Sequence, residues 1–275
     1  MLAVPIQAFT RYVTVRDLLS VLPMLTVPFA HRGLHGDGVP ENSLAAFAGA
    51  VAAGLGIELD VRLSSDGVPI VHHDATLLRS CGVQRRVVEL PAAELSRLEL
   101  LDGGGTVPTL GQALGLIDGR VPLLLDLKAP TRLAARRRLV EGVAQRVRDY
   151  DGPVGVVGFD PWVLNAVAVR VPGLAVGQTG GIPPTAFEGR RWLRPAVHPV
   201  DALWSRRMSR PHFLLFNVHR LPSAAVAKLR KELPVVAWTV RTAEDYALAR
   251  AHADGVIVED AAVALALADA ALTVP

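Results

Sequence analysis

Short apolar runs and longer amphipathic stretches alternate along the chain from Pro28 onward. The short runs are rich in β-branched residues or leucine and favour strands, whereas the stretches between them have helical spacing and many alanines. This alternation is typical of βα units around a parallel sheet. The predicted strands cover residues 29–31, 57–63, 69–72, 123–128, 154–157, 174–178, 213–216, 235–240 and 255–258. The predicted helices cover residues 43–53, 110–117, 132–149, 161–169, 223–232 and 243–251, with Ser43 and Thr242 as starting caps and Gly54 as a stop.

A strand count of eight or nine predicts an α/β fold of the TIM (β/α)8 barrel type. The chain has 275 residues, which suits a single barrel of about 250 residues. We therefore expect one barrel domain over residues 28–275, preceded by a helical N-terminal extension over residues 1–27 that packs on the barrel. The extension lacks a basic start and a run of about 20 apolar residues, so neither a signal peptide nor a membrane-spanning helix is predicted. Shallow association of the extension with a membrane surface is the alternative.

Two of the predicted strands have charged residues at alternate positions. Glu58, Asp60 and Arg62 alternate with apolar residues in one strand, and Asp126 and Lys128 do so in another. Successive side chains of a strand point to opposite faces, so these groups are predicted to point into the barrel while their apolar neighbours pack on the helices. An edge strand with a solvated face explains either strand alone. It explains both poorly, because a closed parallel barrel has no such face.

Composition and charge narrow the classes of function. Hydrophobic residues make up 51% of the chain and charged residues 20%, which excludes general disorder. The net charge of +3 is small, and we predict no nucleic-acid partner. Arginine-rich stretches at residues 132–148 and 190–210 are predicted to be solvated helix faces, with docking of anionic lipid or polyphosphate as the alternative. Cys81 is the only cysteine, which excludes an intrachain disulfide and is compatible with the cytoplasmic location that we predict.

Polar residues at or just after the predicted strand ends form a spaced set in which each residue type has a chemical use. Active sites of α/β barrels lie at the carboxyl ends of the strands. Histidine transfers protons near neutral pH, carboxylates hold hard divalent cations, and arginine binds phosphate through two nitrogens. Together these groups indicate a site for metal-assisted phosphodiester cleavage. The set comprises His31-Arg32-Gly33, Pro40-Glu41-Asn42, Glu58-Leu59-Asp60 and His73-Asp74.

In this order the four motifs resemble the glycerophosphodiester phosphodiesterase family. The resemblance continues at Ser64-Ser65-Asp66-Gly67, Leu77-Leu78-Arg79, Phe159 and Trp238-Thr239-Val240, so it covers nearly the whole chain after Val27. It implies an α/β barrel and one divalent cation, Mg²⁺ or Ca²⁺. It also implies hydrolysis of a small-molecule glycerophosphodiester to an alcohol and glycerol 3-phosphate, with two histidines as general acid and base, in lipid and glycerol metabolism.

The resemblance also implies roles for individual residues. The implied set is the catalytic pair His31 and His73, the metal ligands Glu58, Asp60 and Asp126, and the phosphate-binding cations Arg32 and Lys128. Glu41 and Asn42 are expected to bind the metal or to support its ligands. Asp126 stands where the family commonly has the longer glutamate, so its coordination is either through water or selective for a different cation. Trp238 is predicted to line the substrate site as an apolar wall, with core packing as the alternative.

Two further alternatives stay open from the sequence. The same barrel is compatible with a phosphodiesterase of the phospholipase D type that acts on lysophospholipids or sphingolipids. It is also compatible with a non-catalytic protein that binds glycerophosphodiesters. The nucleophile is either water or the glycerol 2-hydroxyl, and either histidine can be the acid. The head group, the native cation and the oligomeric state are not predicted.

Overall fold

The structure is a computed structural model that describes residues 21–25, 27–181 and 206–272. Its strands are β1 (Phe29–His31), β2 (Gly56–Leu63), β3 (Pro69–Val71), β4 (Leu123–Leu127), β5 (Val154–Gly158), β6 (Ala175–Gly180), β7 (Phe213–Asn217), β8 (Val235–Val240) and β9 (Gly255–Val258). Its α-helices, apart from the segment 21–25, are α1 (Leu44–Ala52), α2 (Leu78–Cys81), α3 (Ala92–Leu95), α4 (Leu110–Ile117), α5 (Leu133–Arg148), α6 (Pro161–Arg170), α7 (Arg206–Ser209), α8 (Ala224–Leu229), α9 (Ala243–His252) and α10 (Ala261–Leu272).

All the strands except β3 are parallel and close into a barrel. They pair in the order β1, β2, β4, β5, β6, β7, β8 and β9, and β9 pairs with β1 to complete the ring. The register places His31 beside Glu58 and Asp60 beside Asp126. The predicted TIM barrel is confirmed, and the shared register brings the charged strand residues to one level of the barrel.

Residues 69–71 do form a strand, but the prediction that this strand is one of the parallel strands of the barrel is wrong. β3 runs antiparallel to the end of β2, with Val61 opposite Val71. A parallel crossover needs a connection of about a dozen residues or more, and the turn before Pro69 is far shorter. At that turn Gly67 has a φ of +88° and the Ser64 hydroxyl accepts a hydrogen bond from the Val68 backbone N–H at 2.8 Å. The hairpin returns the chain to the barrel mouth, where the His72 backbone N–H donates to the Asp60 carbonyl.

The connection between β3 and β4 forms a small layer beside the mouth. It contains α2, α3, α4 and a 3₁₀ turn at Val87–Glu89. Helices of four residues leave no helical period in the sequence, which explains why α2 and α3 were not predicted. The layer has its own apolar cluster, formed by Ile70, Leu77, Val87, Leu90, Ala92, Leu95, Leu100 and Val107.

Two helices begin, and one of them ends, at the capping residues predicted from the sequence. The Ser43 hydroxyl accepts a hydrogen bond from the Ala46 backbone N–H, and the Thr242 hydroxyl accepts one from the Asp245 backbone N–H, each at 3.1 Å. Gly54, just past the end of α1, has a φ of +67°. The hydroxyls of Ser43 and Thr242 satisfy amide groups that the first turn of a helix leaves unpaired. Both starting caps and the stop are confirmed.

The lower interior of the barrel is apolar and is closed by the segment before β1. Residues 21–25 are helical, and Val21, Met24 and Leu25 are buried in the cluster that fills the barrel interior. The backbone carbonyl of Leu25 lies so close to Gly255 that a Cβ at this position would come within 2.8 Å of it. The rest of the predicted extension, residues 1–20 and 26, and residues 190–205 of the second arginine-rich stretch lie outside the described residues. Within the described part of the chain, no helix combines the length and the hydrophobicity needed to cross a membrane.

Candidate active site

Three carboxylates converge at the carboxyl end of the barrel. Glu58 and Asp60 lie on β2 and Asp126 on β4, and one oxygen of each lies within 4.8 Å of the other two. Glu58 and Asp60 are buried, and the paired register of β2 and β4 sets Asp60 beside Asp126. Asp126 reaches the cluster although it is shorter than glutamate. The predicted metal-ligand residues therefore lie together.

The donor set of this cluster fits a hard divalent cation. All three groups offer oxygen, which suits Mg²⁺ and Ca²⁺. Asp126 Oδ1 is buried and has no hydrogen-bond partner among the described residues. Burial, together with the Asp60 and Asp126 carboxylates, raises the pKa of Glu58 well above its usual range. A cation bound among these oxygens would pair with the unpartnered oxygen and relieve the repulsion between like charges.

Lys128 and Arg32 surround the same carboxylates with positive charge. Lys128 Nζ lies 2.8 Å from Asp60 Oδ1 and 2.5 Å from Asp126 Oδ2, and Arg32 Nε lies 3.3 Å from Asp60 Oδ2. Burial alone would raise the pKa of Asp60, but Lys128 and Arg32 hold it far below its usual range. These ion pairs favour the charged form of Asp60 and hold both cations at the carboxylate cluster.

The turn after β1 is held in an uncommon backbone conformation. Arg32 and Asn42 have φ values of +58° and +55°, which few non-glycine residues adopt. The Arg32 backbone N–H donates to Glu58 Oε2 at 3.2 Å, and the Asn42 side chain donates to Asp60 Oδ2 at 2.8 Å while accepting from the Asp60 backbone N–H at 3.1 Å. Gly33 also has a positive φ, and a Cβ there would approach Ala46 to 2.8 Å. The turn orients Glu58 and Asp60, and Asn42 contacts the cluster through Asp60.

Glu41 lies beside the carboxylate cluster and binds two arginines. Its Oε2 accepts from Arg32 at 2.9 Å and its Oε1 from Arg79 at 2.6 Å. Arg79 in turn donates to Asp74 Oδ2 at 2.6 Å, and Asp74 Oδ1 contacts His73 Nδ1 at 2.7 Å. A continuous set of ion pairs thus joins Arg32 to His73. Of the two roles predicted for Glu41, this geometry corresponds to support of other site residues.

The two predicted catalytic histidines have carboxylate partners on different elements. His73 Nδ1 contacts Asp74, while His31 Nδ1 lies 3.4 Å from Glu259 Oε2 and His31 Nε2 lies 3.9 Å from Glu58 Oε2. Burial lowers the pKa of His31, and the Glu259 contact partly offsets this shift. His72, next to His73, turns away and contacts the Asp74 carbonyl and the Ser80 hydroxyl.

Sequence reasoning missed Glu259 and Arg241. The His31 contact lowers the pKa of Glu259 to about 2, and Arg241 lies 2.5 Å from the same Glu259 oxygen. Both residues directly follow predicted strands, the same signal that identified His31 and His73. A search for charged residues directly after predicted strands would therefore have found Arg241 and Glu259.

A cavity of about 530 Å³ is lined on its polar side by residues that include His31, Arg32, Glu58, His73, Asp126 and Lys128, and it also has an apolar wall. The apolar side includes Val157, Phe159, Leu215, Trp238 and Ile257. The rings of Phe159 and Trp238 meet edge to face with centroids 5.9 Å apart. The Trp238 indole N–H is buried and has no hydrogen-bond partner among the described residues.

Comparisons of the sequence and of the structure with known proteins point to the same family. The model of the glycerophosphoryl diester phosphodiesterase family matches residues 31–263. A glycerophosphodiester phosphodiesterase of Caldanaerobacter subterraneus is 27% identical over 250 residues, which cover 86% of this chain and 95% of that protein. A candidate glycerophosphoryl diester phosphodiesterase from Silicibacter pomeroyi superposes with a TM-score of 0.74 at 26% identity, over 93% of this chain and 98% of the other. An Oleispira antarctica phosphodiesterase, solved with its product sn-glycerol-3-phosphate, has the same fold, with a TM-score of 0.72 at 24% identity over 90% of this chain and 98% of that one.

Proposed function

Because the chain belongs to the glycerophosphoryl diester phosphodiesterase family, we propose that it hydrolyses glycerophosphodiesters to an alcohol and glycerol 3-phosphate with the help of one divalent cation. The cluster of three carboxylates, two of which line one cavity together with Arg32, Lys128, His31 and His73, is the observation that supports this proposal most strongly. The Oleispira protein with bound sn-glycerol-3-phosphate adds support from a relative of the same fold.

Glu58, Asp60 and Asp126 would hold the cation, which we expect to be Mg²⁺ or Ca²⁺. When bound, a divalent cation supplies a Lewis acid that polarises a phosphoryl oxygen and offsets developing negative charge. Lys128 and Arg32 add fixed positive charge at the same place, which stabilises the transition state without reorganisation of solvent. Their ion pairs with Asp60 keep both side chains oriented before substrate binds.

His31 and His73 transfer the protons. Asp74 engages His73 Nδ1 and Glu259 faces His31 Nδ1, so Nε2 is the reactive nitrogen of each ring. One histidine deprotonates the attacking hydroxyl, and the other protonates the oxygen of the departing alcohol. Each proton transfer typically contributes about 10²- to 10⁴-fold to the rate. In the direct route water attacks the phosphorus and the alcohol leaves. In the cyclic route the glycerol 2-hydroxyl attacks, the alcohol leaves, and water then opens the cyclic phosphate to give glycerol 3-phosphate.

Trp238 and its apolar neighbours bind the glycerol carbons. The ring system of Trp238 and Phe159 is rigid, and it lies across the cavity from the carboxylates. An apolar wall at this place keeps water away from the reacting phosphate and strengthens the charge interactions opposite.

The direct test is release of glycerol 3-phosphate from glycerophosphocholine in the presence of Mg²⁺, Ca²⁺ or EDTA. We expect turnover with at least one cation, loss of turnover in EDTA, and a drop of at least about 10²-fold in His31→Ala and in His73→Ala. His252→Ala, a substitution remote from the cavity, is the control and should keep wild-type activity. Full activity in both site variants would overturn the two-histidine mechanism. Chromatography for a cyclic glycerophosphate distinguishes the two routes of attack.

The alternatives named from the sequence remain predictions. Turnover of lysophospholipid or sphingolipid substrates in the same assay, together with co-sedimentation with vesicles, would favour the lipid phosphodiesterase. Calorimetric binding of glycerophosphocholine without hydrolysis across several cations would favour a binding protein. The cytoplasmic location is likewise part of our proposal, and fractionation of the producing cells tests it.

A further inference from the structure

A second cavity, of about 690 Å³, shares the lining residue Lys128 with the reaction cavity. Its walls come from the end of β2, from the turn around Val87–Glu89 and from the segment that joins β4 to α5. A phosphodiester bound beside Lys128 would therefore lie close to both cavities. One has an apolar wall suited to glycerol, and the other is available to the alcohol.

The second cavity is strongly cationic. Its charged lining consists of Arg62, Arg86, Lys128, Arg132 and Arg138 on the positive side and Glu89 on the negative side. The Glu89 carboxylate is already engaged, because its Oε2 accepts from Arg85 Nε at 3.2 Å and from the Arg86 backbone N–H at 3.1 Å. Lys128 is neutralised by Asp60 and Asp126. The arginines therefore leave an excess of positive charge in this cavity.

Among the described residues, none of these four arginines forms an ion pair with a carboxylate, although Arg138 is near enough to Asp66 to lower its pKa. Arg62 donates from Nε to the His73 carbonyl at 2.7 Å, and its two terminal nitrogens have no partner there. The side chains of Arg86 and Arg132 have neither a hydrogen bond nor an ion pair with any described residue, and Arg138 donates a hydrogen bond to the Ser65 carbonyl at 3.1 Å. In contrast, Arg79 at the neighbouring rim binds two carboxylates.

The first turn of α5 adds to the positive potential. This helix spans 16 residues, has no acidic residue in its first turn and has no side-chain cap. Thr131, Arg132 and Ala135 line the cavity at that end of the helix. The amide groups and partial positive charge of the helix start therefore act in the same direction as the arginines.

We propose that this arginine-lined cavity binds a phosphate group on the alcohol part of the substrate. The preferred substrates are then glycerophosphodiesters whose alcohol is itself phosphorylated, an inference that rests on the function proposed above. Arginine suits this ligand, because its planar guanidinium binds phosphate oxygens through two nitrogens. Hydrolysis would release glycerol 3-phosphate from one cavity and the phosphorylated alcohol from the other.

The kinetic test compares glycerophosphoinositol 4-phosphate with glycerophosphoinositol, two probes that differ only in the added phosphate. We expect kcat/KM to be at least about tenfold higher for the phosphorylated probe, which corresponds to one good charge-assisted contact. The double variant Arg86→Ala/Arg132→Ala should reduce this ratio to less than about threefold, mainly through KM. Arg137→Ala, which removes an exposed arginine of α5 outside the cavity, should leave the ratio unchanged. Equal kcat/KM for the two probes, or an unchanged ratio in the double variant, overturns the proposal.

A binding measurement separates failure of this proposal from failure of the proposed function. Calorimetric titration in EDTA, where we expect no turnover, should show tighter binding of the phosphorylated probe to the wild type than to the double variant. Equal affinity overturns the second site, whether or not the protein hydrolyses either probe. A titration with inorganic phosphate tests whether the cavity binds free phosphate rather than a phosphorylated alcohol. Binding of inorganic phosphate at this cavity with no gain for the phosphorylated probe would also overturn the proposal.

Discussion

The two sides of the reaction cavity differ in character although neighbouring strands of one barrel form both. The side built from β1, β2 and β4 carries Arg32, Glu58 and Lys128, whereas the side built from β5, β7 and β8 carries Val157, Leu215 and Trp238. On the charged side each buried carboxylate is close to an opposite charge or to another carboxylate that a cation can bridge. On the apolar side the rings of Phe159 and Trp238 pack against each other.

Under the proposed function, this difference assigns the chemical step to the charged side and the binding of the unreactive part of the substrate to the apolar side. Charges placed where negative charge develops lower the barrier, while an apolar wall binds the unreactive carbons equally well in the ground state and the transition state. Substitutions on the charged side should therefore reduce kcat. Substitutions on the apolar side should raise KM.

The largest effect is expected for Asp126→Asn, which removes one charge from the carboxylate cluster and leaves its shape nearly unchanged. Activity should fall by about 10²- to 10³-fold, a loss typical of a missing electrostatic contact in a transition state. In the wild type, a cation at about 100 times its Kd adds about 2.7 kcal/mol of stability, which raises Tm by about 5 to 10 °C. The variant should lose most of this increase. Thermal melts with and without Mg²⁺ or Ca²⁺ measure it.

Asp151→Asn is the control for this prediction, because Asp151 is exposed and distant from the cluster. It should behave as the wild type in both assays. A cation-dependent rise in Tm that persists unchanged in Asp126→Asn would contradict the assignment of this residue to the cation site.

On the apolar side, Trp238→Ala should raise KM by about tenfold and change kcat by less than about threefold. The variant loses the edge contact with Phe159 and should lower the free energy of unfolding by about 2–3 kcal/mol, less than for a fully buried tryptophan. Steady-state kinetics and urea denaturation measure the two effects. Trp162→Ala, which removes a half-buried tryptophan outside the cavity, should lower stability with no change in KM. A fall in kcat with an unchanged KM in Trp238→Ala would remove the distinction between the two sides.

The smallest effect is expected for Arg79→Ala, at the edge of the charged side. Arg79 is 52% exposed, so loss of its ion pairs with Glu41 and Asp74 should change stability by less than about 1 kcal/mol. Because Asp74 then orients His73 less firmly, kcat should fall by about 3- to 10-fold with KM unchanged. Arg85→Ala removes a similarly exposed ion pair, with Glu89, and should leave kcat as it is. Equal kcat in the two variants would show that Arg79 does not position His73.

Local rules were enough to predict most of the barrel and the inward position of the three clustered carboxylates, whereas the family resemblance placed Asp126 in the ligand set. The alternation in β2 and β4 identified Glu58, Asp60, Asp126 and Lys128 as inward-facing, because the two-residue period of a strand is a property of the backbone itself. Helix starts at Ser43 and Thr242 could be located for a similar reason, since a cap bonds only to the turn that follows it. The direction of β3 was also within reach, because the turn before it is too short for a parallel crossover.

Contacts between distant parts of the chain depended on the closed fold. Glu259 and Arg241 meet beside His31 only because β9 pairs with β1, and residues far apart in sequence give no local signal of that closure. The link from Arg32 through Glu41 and Arg79 to His73 likewise needs the hairpin of β3 to return to the mouth. The residue types and strand faces were thus readable from the amino-acid order. Long-range packing determined which charges became partners and which arginines around the second cavity form no ion pair with a described carboxylate, because ion pairing depends on distance in space and not along the chain.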